Sequence, residues 1–283
     1  MRWQNRRKSK NVVDRRGMRG RGVKVGGGLG AIVLVVIYLF FGGNSDEISQ
    51  GVQSLQQNET SQARTLSTEE KKLGDFVSVV LADTEDVWHT LFRGEGLEYR
   101  EPKLVLFSGA TQSACGFAQS ASGPFYCPGD EIIYIDLDFF QEMQRRLNAP
   151  GDFAMAYVLA HEVGHHVQKL LGIMEHYERQ RRRLSKRDFN RQTVRLELQA
   201  DFLAGIWAHH AQRMNNILEE GDIQEGINAA GAVGDDRIQK KNRGYIVPDS
   251  FTHGTSRQRT RWFLKGWKTG DLRQGDTFET DHL

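Results

Sequence analysis

The sequence is poor in cysteine and has no internal repeat. Only two of its 283 residues are cysteines, so the chain can form at most one intrachain disulfide. The lack of a repeating period argues against a solenoid or propeller. Hydrophobic residues make up 39% of the chain and charged residues 26%, which is ordinary for a globular protein. The length therefore predicts one sizeable domain with appendages.

Charge is absent between residues 25 and 45, and the run from Leu29 to Phe41 is almost wholly apolar. Residues 25–43 reach the length of about 20 residues that crosses a bilayer. No small-x-small cleavage site follows, which argues against a cleaved signal peptide, and no amphipathic pattern marks a buried core helix. We therefore predict an uncleaved transmembrane signal anchor at residues 25–43.

Acidic residues are almost missing from residues 2–24, where ten Lys and Arg stand against Asp14 alone. The rest of the chain has 28 basic and 35 acidic residues, a net charge of −7. The positive-inside rule predicts that residues 1–24 form a cytoplasmic arm of a single-pass protein of the bacterial inner membrane. An arm that binds nucleic acid is the alternative, but charge beside a membrane segment is the simpler explanation, and no nucleic-acid partner is expected.

The most informative motif is H-E-x-x-H, formed by His161, Glu162 and His165. Residues four apart lie on one face of a helix, so the two imidazoles can occupy two corners of a zinc tetrahedron. Glu162 stands at the rim of that face, where it can accept a proton from a water at the metal without binding the metal itself.

A second pair at the same spacing, Glu197 and Asp201, lies in a helical pattern with a strongly apolar neighbouring face. Glu197 is the candidate third ligand, and Asp201 can accept the N–H of a ligating histidine and fix its tautomer. Ordinary surface carboxylates are the alternative. The metzincin class is excluded because Gln168 and Leu171 stand where it requires Gly and His. His166 projects about 100° away from the metal face and is interpreted as a packed or hydrogen-bonded histidine.

The remaining patterns predict an α+β fold in which a small sheet precedes two helices that carry the ligands. Helices are expected at about 67–92, 137–147, 152–171, 190–214, 222–242 and 255–268, with strands at 103–108 and 131–136. Residues 44–66 are rich in Gln, Ser, Asn and Thr and are interpreted as a flexible linker to a domain at residues 67–283. By analogy with zincins, the strand at 131–136 is the candidate to pair with an extended substrate.

His253 and the three arginines that follow it each allow two interpretations. His253 precedes the last predicted helix, where it can approach the zinc or donate to the oxyanion, or can simply cap the helix. One of Arg257, Arg259 and Arg261 can hold Asp201 or Glu197 in place, or all three can be solvated. Predicted export favours a disulfide between Cys115 and Cys127 over two free buried thiols.

These motifs together resemble the gluzincin metallopeptidases, such as the CAAX-protease and heat-shock-protease type. Over nearly the full length, the basic arm, the membrane segment, H-E-V-G-H-H-V-Q, L-E-L-Q-A-D-F and H-G-T-S-R-Q-R-T-R-W-F resemble the bacterial neutral zinc metallopeptidase family. The resemblance implies a zincin-like domain with one Zn²⁺ per chain on His161, His165 and Glu197, and Glu162 as the base.

The expected function is that of a membrane-anchored zinc endopeptidase, which hydrolyses peptide bonds in a peptide or protein substrate with a zinc-activated water. Its catalytic domain is expected on the periplasmic or extracytoplasmic side. The alternatives are a zinc amidase that acts on cell-wall peptides and a catalytically silent membrane scaffold that carries zinc.

Overall fold

The computed structural model describes residues 1–17, 65–119 and 123–283. Residues 1–15 and 68–283 form one compact unit. The predicted membrane anchor at 25–43 and most of the linker at 44–66 lie outside the described residues. Within the described residues, no helix is long and apolar enough to cross a membrane.

The described unit is a mixed α+β fold with two small sheets, as the sequence predicted. The strands are β1 (Val12–Asp14), β2 (Lys103–Phe107), β3 (Ala110–Ser113), β4 (Gly116–Gln119), β5 (Phe125–Cys127) and β6 (Ile132–Asp136). The helices are α1 (Thr68–Gly94), α2 (Asp138–Arg146), α3 (Asp152–Leu170), α4 (Ile173–Arg181), α5 (Lys186–Asn215), α6 (Asp222–Ala232), α7 (Asp235–Arg243) and α8 (Ser256–Thr269).

The larger sheet has the order β1-β2-β6-β5, in which β1, β2 and β6 are parallel and β5 is antiparallel to β6. The strand β6 lies between two neighbours, so the prediction that it pairs with substrate is wrong: both of its edges are already hydrogen-bonded. Among the described residues, β5 is the outermost strand on that side of the sheet. The strands β3 and β4 form a separate antiparallel hairpin.

The first fifteen residues differ most from the sequence interpretation, which separated residues 1–24 from the domain as an arm. Val12, Val13 and Asp14 instead form the strand β1 in parallel register with Leu104 to Leu106, at the edge of the larger sheet. The alternating apolar pattern that marks most strands is too short to recognise in three residues.

Two predicted helices also have different bounds. The ligand helix α5 begins at Lys186, where Ser185 caps it by accepting a hydrogen bond from the N–H of Asp188. The helix expected at 222–242 is two helices, α6 and α7, because the helical conformation is interrupted at Val233 and Gly234. A side chain at Gly234 would come within 2.3 Å of the Ser256 backbone nitrogen, so the break brings α7 directly against the start of α8.

Glycines permit the closest helix contacts in the core. A Cβ added to Gly164 on α3 would lie 3.1 Å from the carbonyl oxygen of Ala200 on α5. A Cβ added to Gly266 on α8 would lie 2.1 Å from the carbonyl oxygen of Phe202, also on α5. Both neighbours of α5 therefore approach its backbone, and this approach determines how near their functional side chains come to Glu197 and Asp201.

Candidate metal centre

The structure brings together the three side chains that the sequence proposed as ligands. His161 Nε2 lies 3.1 Å from Glu197 Oε2, and His165 Nε2 lies 3.5 Å from Glu197 Oε1. Ligands of a tetrahedral zinc, bound at about 2.0–2.1 Å, stand roughly 3.3–3.4 Å apart. One nitrogen of each imidazole and one carboxylate oxygen of Glu197 all lie within 4.8 Å of one another, a spacing suited to a metal ion.

The other nitrogen of each histidine is already held by the protein. His161 Nδ1 lies 2.8 Å from Asp201 Oδ1, and His165 Nδ1 lies 2.9 Å from Gln168 Oε1. These contacts fix both rings with Nε2 directed at the same point, as is usual for histidines that bind zinc. The donor set of two imidazoles and one carboxylate fits zinc with an open fourth position.

Asp201 is the centre of a buried network, and sequence reasoning proposed only part of it. Arg259 donates to both carboxylate oxygens of Asp201, from Nε and from one terminal nitrogen, each at 2.8 Å. The Tyr157 hydroxyl also donates to Asp201. Asp201 has no exposed surface and Arg259 is 4% exposed. Among the three arginines considered, Arg259 is thus the one that holds Asp201, whereas Arg257 and Arg261 are exposed.

The network sets the charge state of the site. Burial acts to raise the pKa of Asp201, but the guanidinium of Arg259 and the imidazole of His161 hold it below its usual value. Burial likewise acts to raise the pKa of Glu197, and His165 and His161 hold it well below the usual value. Burial lowers the pKa of His161, but Asp201 and Glu197 outweigh that effect and raise the pKa to about 10. The carboxylates therefore favour a positive charge at this point, which a divalent metal can supply.

Glu162 lies beside the candidate ligands and is only 8% exposed. Its Oε2 accepts a hydrogen bond of 2.8 Å from the backbone N–H of Tyr126 on β5, the edge strand. Burial raises the pKa of Glu162, against the opposing effect of His165 and His161. A carboxylate with a raised pKa is suited to accept a proton and later release it.

His166 is a packed histidine, as the sequence indicated. It has no exposed surface, and its Nδ1 and Nε2 lie 3.0 Å from the Tyr126 hydroxyl and 2.6 Å from the Arg100 carbonyl oxygen. Tyr126 therefore contacts Glu162 through its backbone and His166 through its side chain. This ties the edge strand to two consecutive turns of the active-site helix α3.

The third part of the site is the loop that carries His253. Three successive backbone N–H groups, of Thr252, His253 and Gly254, donate to Asp235 Oδ2 at 2.6–3.0 Å. His253 Nδ1 lies 3.4 Å from Asp235 Oδ1. Desolvation in the cleft lowers the pKa of His253, but the hydrogen bond to Asp235 and the negative charges of Glu197 and Asp235 together outweigh it, so the net shift is upward. His253 lines the same cleft as the candidate ligands, and it does not join the three-ligand set.

The cleft has a volume of about 430 Å³, and its floor is formed by the candidate ligands, Glu162 and Tyr157. Its walls combine His253 and Arg259 with an apolar surface, made of Phe125, Phe139, Val158, Val233 and Ile238. The disulfide between Cys115 and Cys127 is present, as predicted, and it fastens β5 to the turn between β3 and β4. The arrangement is that of a candidate metal centre of the class with two histidines and one glutamate, with a buried carboxylate beside them and a cleft that all four side chains line.

The comparisons with known proteins agree with this class. The family described as "Putative neutral zinc metallopeptidase" matches residues 1–278, and the chain belongs to this family. The chain is 46% identical to the uncharacterized protein YpfJ of Escherichia coli (strain K12), over 98% of this chain and 99% of that protein. It is 42% identical to the uncharacterized protein Mb2605 of Mycobacterium bovis, over 70% of this chain and 68% of that protein. No solved structure matches the chain.

Proposed function

We propose that this protein is a zinc-dependent endopeptidase whose catalytic base is Glu162. The observation that carries the proposal is the convergence of His161, His165 and Glu197, with the buried carboxylate of Glu162 next to them. Structural zinc sites are normally closed by four protein ligands, whereas three ligands beside an open cleft are typical of catalytic sites. The same arrangement disfavours a catalytically silent scaffold.

A bound zinc ion would supply Lewis-acid polarisation of the substrate carbonyl and of a water molecule. Glu162 takes the proton from that water during attack on the carbonyl carbon and passes it to the nitrogen of the leaving amine. The N–H of Tyr126 keeps one oxygen of Glu162 in place, so the other oxygen is available for the proton. His253, held by Asp235, can donate to the oxygen that gains negative charge.

The apolar walls of the cleft support a peptide with a large hydrophobic side chain next to the scissile bond. The edge strand β5 supports an extended peptide backbone, because within the described residues it pairs with another strand, β6, on one side only. Both features fit an unfolded protein segment better than a short polar cell-wall peptide. Attachment to the bacterial membrane through residues 25–43 remains part of the proposal, whereas the single crossing that the sequence predicted is reconsidered below.

The test compares the full-length, detergent-solubilised chain with its Glu162→Gln variant, using zinc content and cleavage of casein. Full length is needed because β1 belongs to the folded unit, so a fragment that starts at residue 44 would lack an edge strand. We expect about one zinc per chain in both proteins, and cleavage slower by 10²-fold or more in the variant, which lacks its general base. Equal cleavage by both proteins, or a folded parent without zinc affinity, would refute the proposal. Cleavage of peptidoglycan but not of casein would favour the amidase alternative.

A further inference from the structure

The first fifteen residues, termed here the N-terminal segment, are hydrogen-bonded into the sheet of the domain. Val12 to Asp14 pair with Leu104 to Leu106 of β2. The ladder continues at both ends, where the N–H of Leu104 donates to the Asn11 carbonyl at 2.9 Å and the N–H of Arg15 donates to the Leu106 carbonyl at 2.8 Å. Without this segment, β2 would be an exposed edge of nearly fully buried apolar residues.

The N-terminal segment also neutralises two carboxylates that are buried on α1. Asp83 is 3% exposed, and the Arg6 guanidinium donates to its two oxygens at 2.6 and 2.7 Å. Glu85 is 2% exposed and accepts from Arg7 at 2.9 Å and from the Ser9 hydroxyl. Among the described residues, all hydrogen-bond partners of these two carboxylates belong to the N-terminal segment. Buried carboxylates without partners are strongly unfavourable, so the domain is built to have this segment in place.

Apolar contacts complete the attachment. The Met1 side chain is 6% exposed and belongs to the main hydrophobic core. Trp3 packs edge-on against Phe76 of α1, with ring centroids 5.5 Å apart. The N–H of Arg2 donates to the Ile217 carbonyl at 2.7 Å, after the end of the ligand helix α5. The N-terminal segment therefore contacts α1, β2 and the end of α5, and it is part of the folded domain.

We propose that the N-terminal segment and the domain at residues 68–283 lie on the same side of the membrane. A single crossing by residues 25–43 would place them on opposite sides, which would leave Asp83 and Glu85 unpaired and the edge of β2 open. The last residues of the N-terminal segment and the first residues of the domain therefore lie in one compartment. This replaces the sequence expectation of a cytoplasmic arm and an extracytoplasmic domain.

The ten basic residues of residues 2–24 support the same conclusion by their charge. The remainder of the chain has a net charge of −7, and two of its buried carboxylates, Asp83 and Glu85, are paired with Arg6 and Arg7 of the N-terminal segment. The basic character that suggested a cytoplasmic location is thus explained in part by pairing within the fold. This inference concerns topology and does not depend on whether the site is catalytic.

The first test is thiol labelling of variants that each carry one added cysteine, in intact bacterial cells, with a membrane-impermeant maleimide. Lys10→Cys reports on the N-terminal segment and Leu97→Cys on the domain, since both positions are exposed. The parent chain is the control for background from its native cysteines. We expect the two variants to behave alike, either both labelled before lysis or both labelled only after it. Labelling of one variant and protection of the other would overturn the proposal.

A second measurement asks whether the contact itself exists in cells. Lys8 Nζ lies 2.6 Å from Asp75 Oδ1, and both side chains are about half exposed, so substitution there should leave the fold intact. A short bis-maleimide cross-linker should join Lys8→Cys to Asp75→Cys in the double variant, and it should not do so in either single variant. Failure to cross-link two thiols that each react with a mono-maleimide would contradict the proposal.

Discussion

Arg259→Ala is the substitution with the clearest expected effect on the site. It removes two hydrogen bonds of 2.8 Å from Asp201, which has no exposed surface. Removing one partner of a buried ion pair costs about 3–5 kcal/mol, because the other charge remains buried. Tyr157 and His161 still contact Asp201 in the variant, so we expect a loss near the lower end, about 3 kcal/mol in the free energy of unfolding.

The matched control is Arg257→Ala, which removes the same charge from the same helix at an exposed position. A surface substitution of this kind usually changes stability by no more than about 0.5 kcal/mol. The assay is urea unfolding of both variants in detergent, together with zinc affinity from competition with a chelator. Because Asp201 orients His161, Arg259→Ala should also weaken zinc binding by roughly 10–100-fold.

A third variant, Arg259→Lys, separates charge from geometry. Lysine retains the positive charge but cannot form the two-pronged contact, so we expect intermediate values for stability and zinc affinity. The reasoning would be refuted if Arg259→Ala and Arg257→Ala had the same stability within 0.5 kcal/mol and bound zinc equally well. The results would then show that Asp201 does not need Arg259 for the stability of the fold or for zinc binding.

Three further predictions follow from described contacts. Gly266→Ala should destabilise the protein by about 1–3 kcal/mol in thermal unfolding, because the added methyl group would overlap the α5 backbone. The control is Gly231→Ala, which should be neutral or slightly stabilising, because the nearest atom to the added methyl group is 3.4 Å away. His253→Ala should lower kcat by about 10²–10³ with zinc content unchanged if His253 donates to the oxyanion, and an unchanged kcat would exclude that role. Burial raises the pKa of Asp83 to about 6 in the folded state. The folded state thus binds this proton more tightly than the unfolded state, and the contribution of Asp83 to stability should fall by about 2–3 kcal/mol as pH rises from about 4 to 6. The parent should show this component, and Asp83→Asn should lack it.

The two pairs of candidate site residues could be predicted from the sequence because helix geometry alone places the members of each pair on one face. His161 and His165, like Glu197 and Asp201, are separated by four residues, so each pair shares a face whatever the tertiary structure. The same rule could have identified Tyr157, which precedes His161 by four residues and contacts Asp201. It could also have selected Arg259, which lies three and four residues before the buried Trp262 and Phe263.

Other parts of the site have no local signal. The hydrogen bond from Tyr126 to Glu162 uses a backbone N–H, which every residue except proline carries. Asp235 holds the His253 loop from 18 residues away, and it does so from the first residue of α7, a helix start that the sequence pattern did not reveal. Only the three-dimensional fold brings these groups together.

The position of residues 1–15 was the largest error of the sequence reading, and its cause is physical. A run of basic residues before an apolar stretch has the same composition whether it faces lipid headgroups or pairs with carboxylates of its own domain. The carboxylates in question, Asp83 and Glu85, lie on α1 among residues whose burial depends on tertiary packing. Charge composition therefore could not distinguish the two cases.

The attachment of the N-terminal segment has a consequence for biosynthesis. Arg2 forms a backbone hydrogen bond with Ile217, so the N-terminal segment contacts a position made about two hundred residues later. At a synthesis rate of roughly 5–20 residues per second, this delay is about 10–40 s. The acidic partners Asp83 and Glu85 and the neighbouring strand β2 are made earlier, about 80 to 90 residues after the segment. The segment can therefore pair with α1 and β2 before its contact with Ile217 becomes possible.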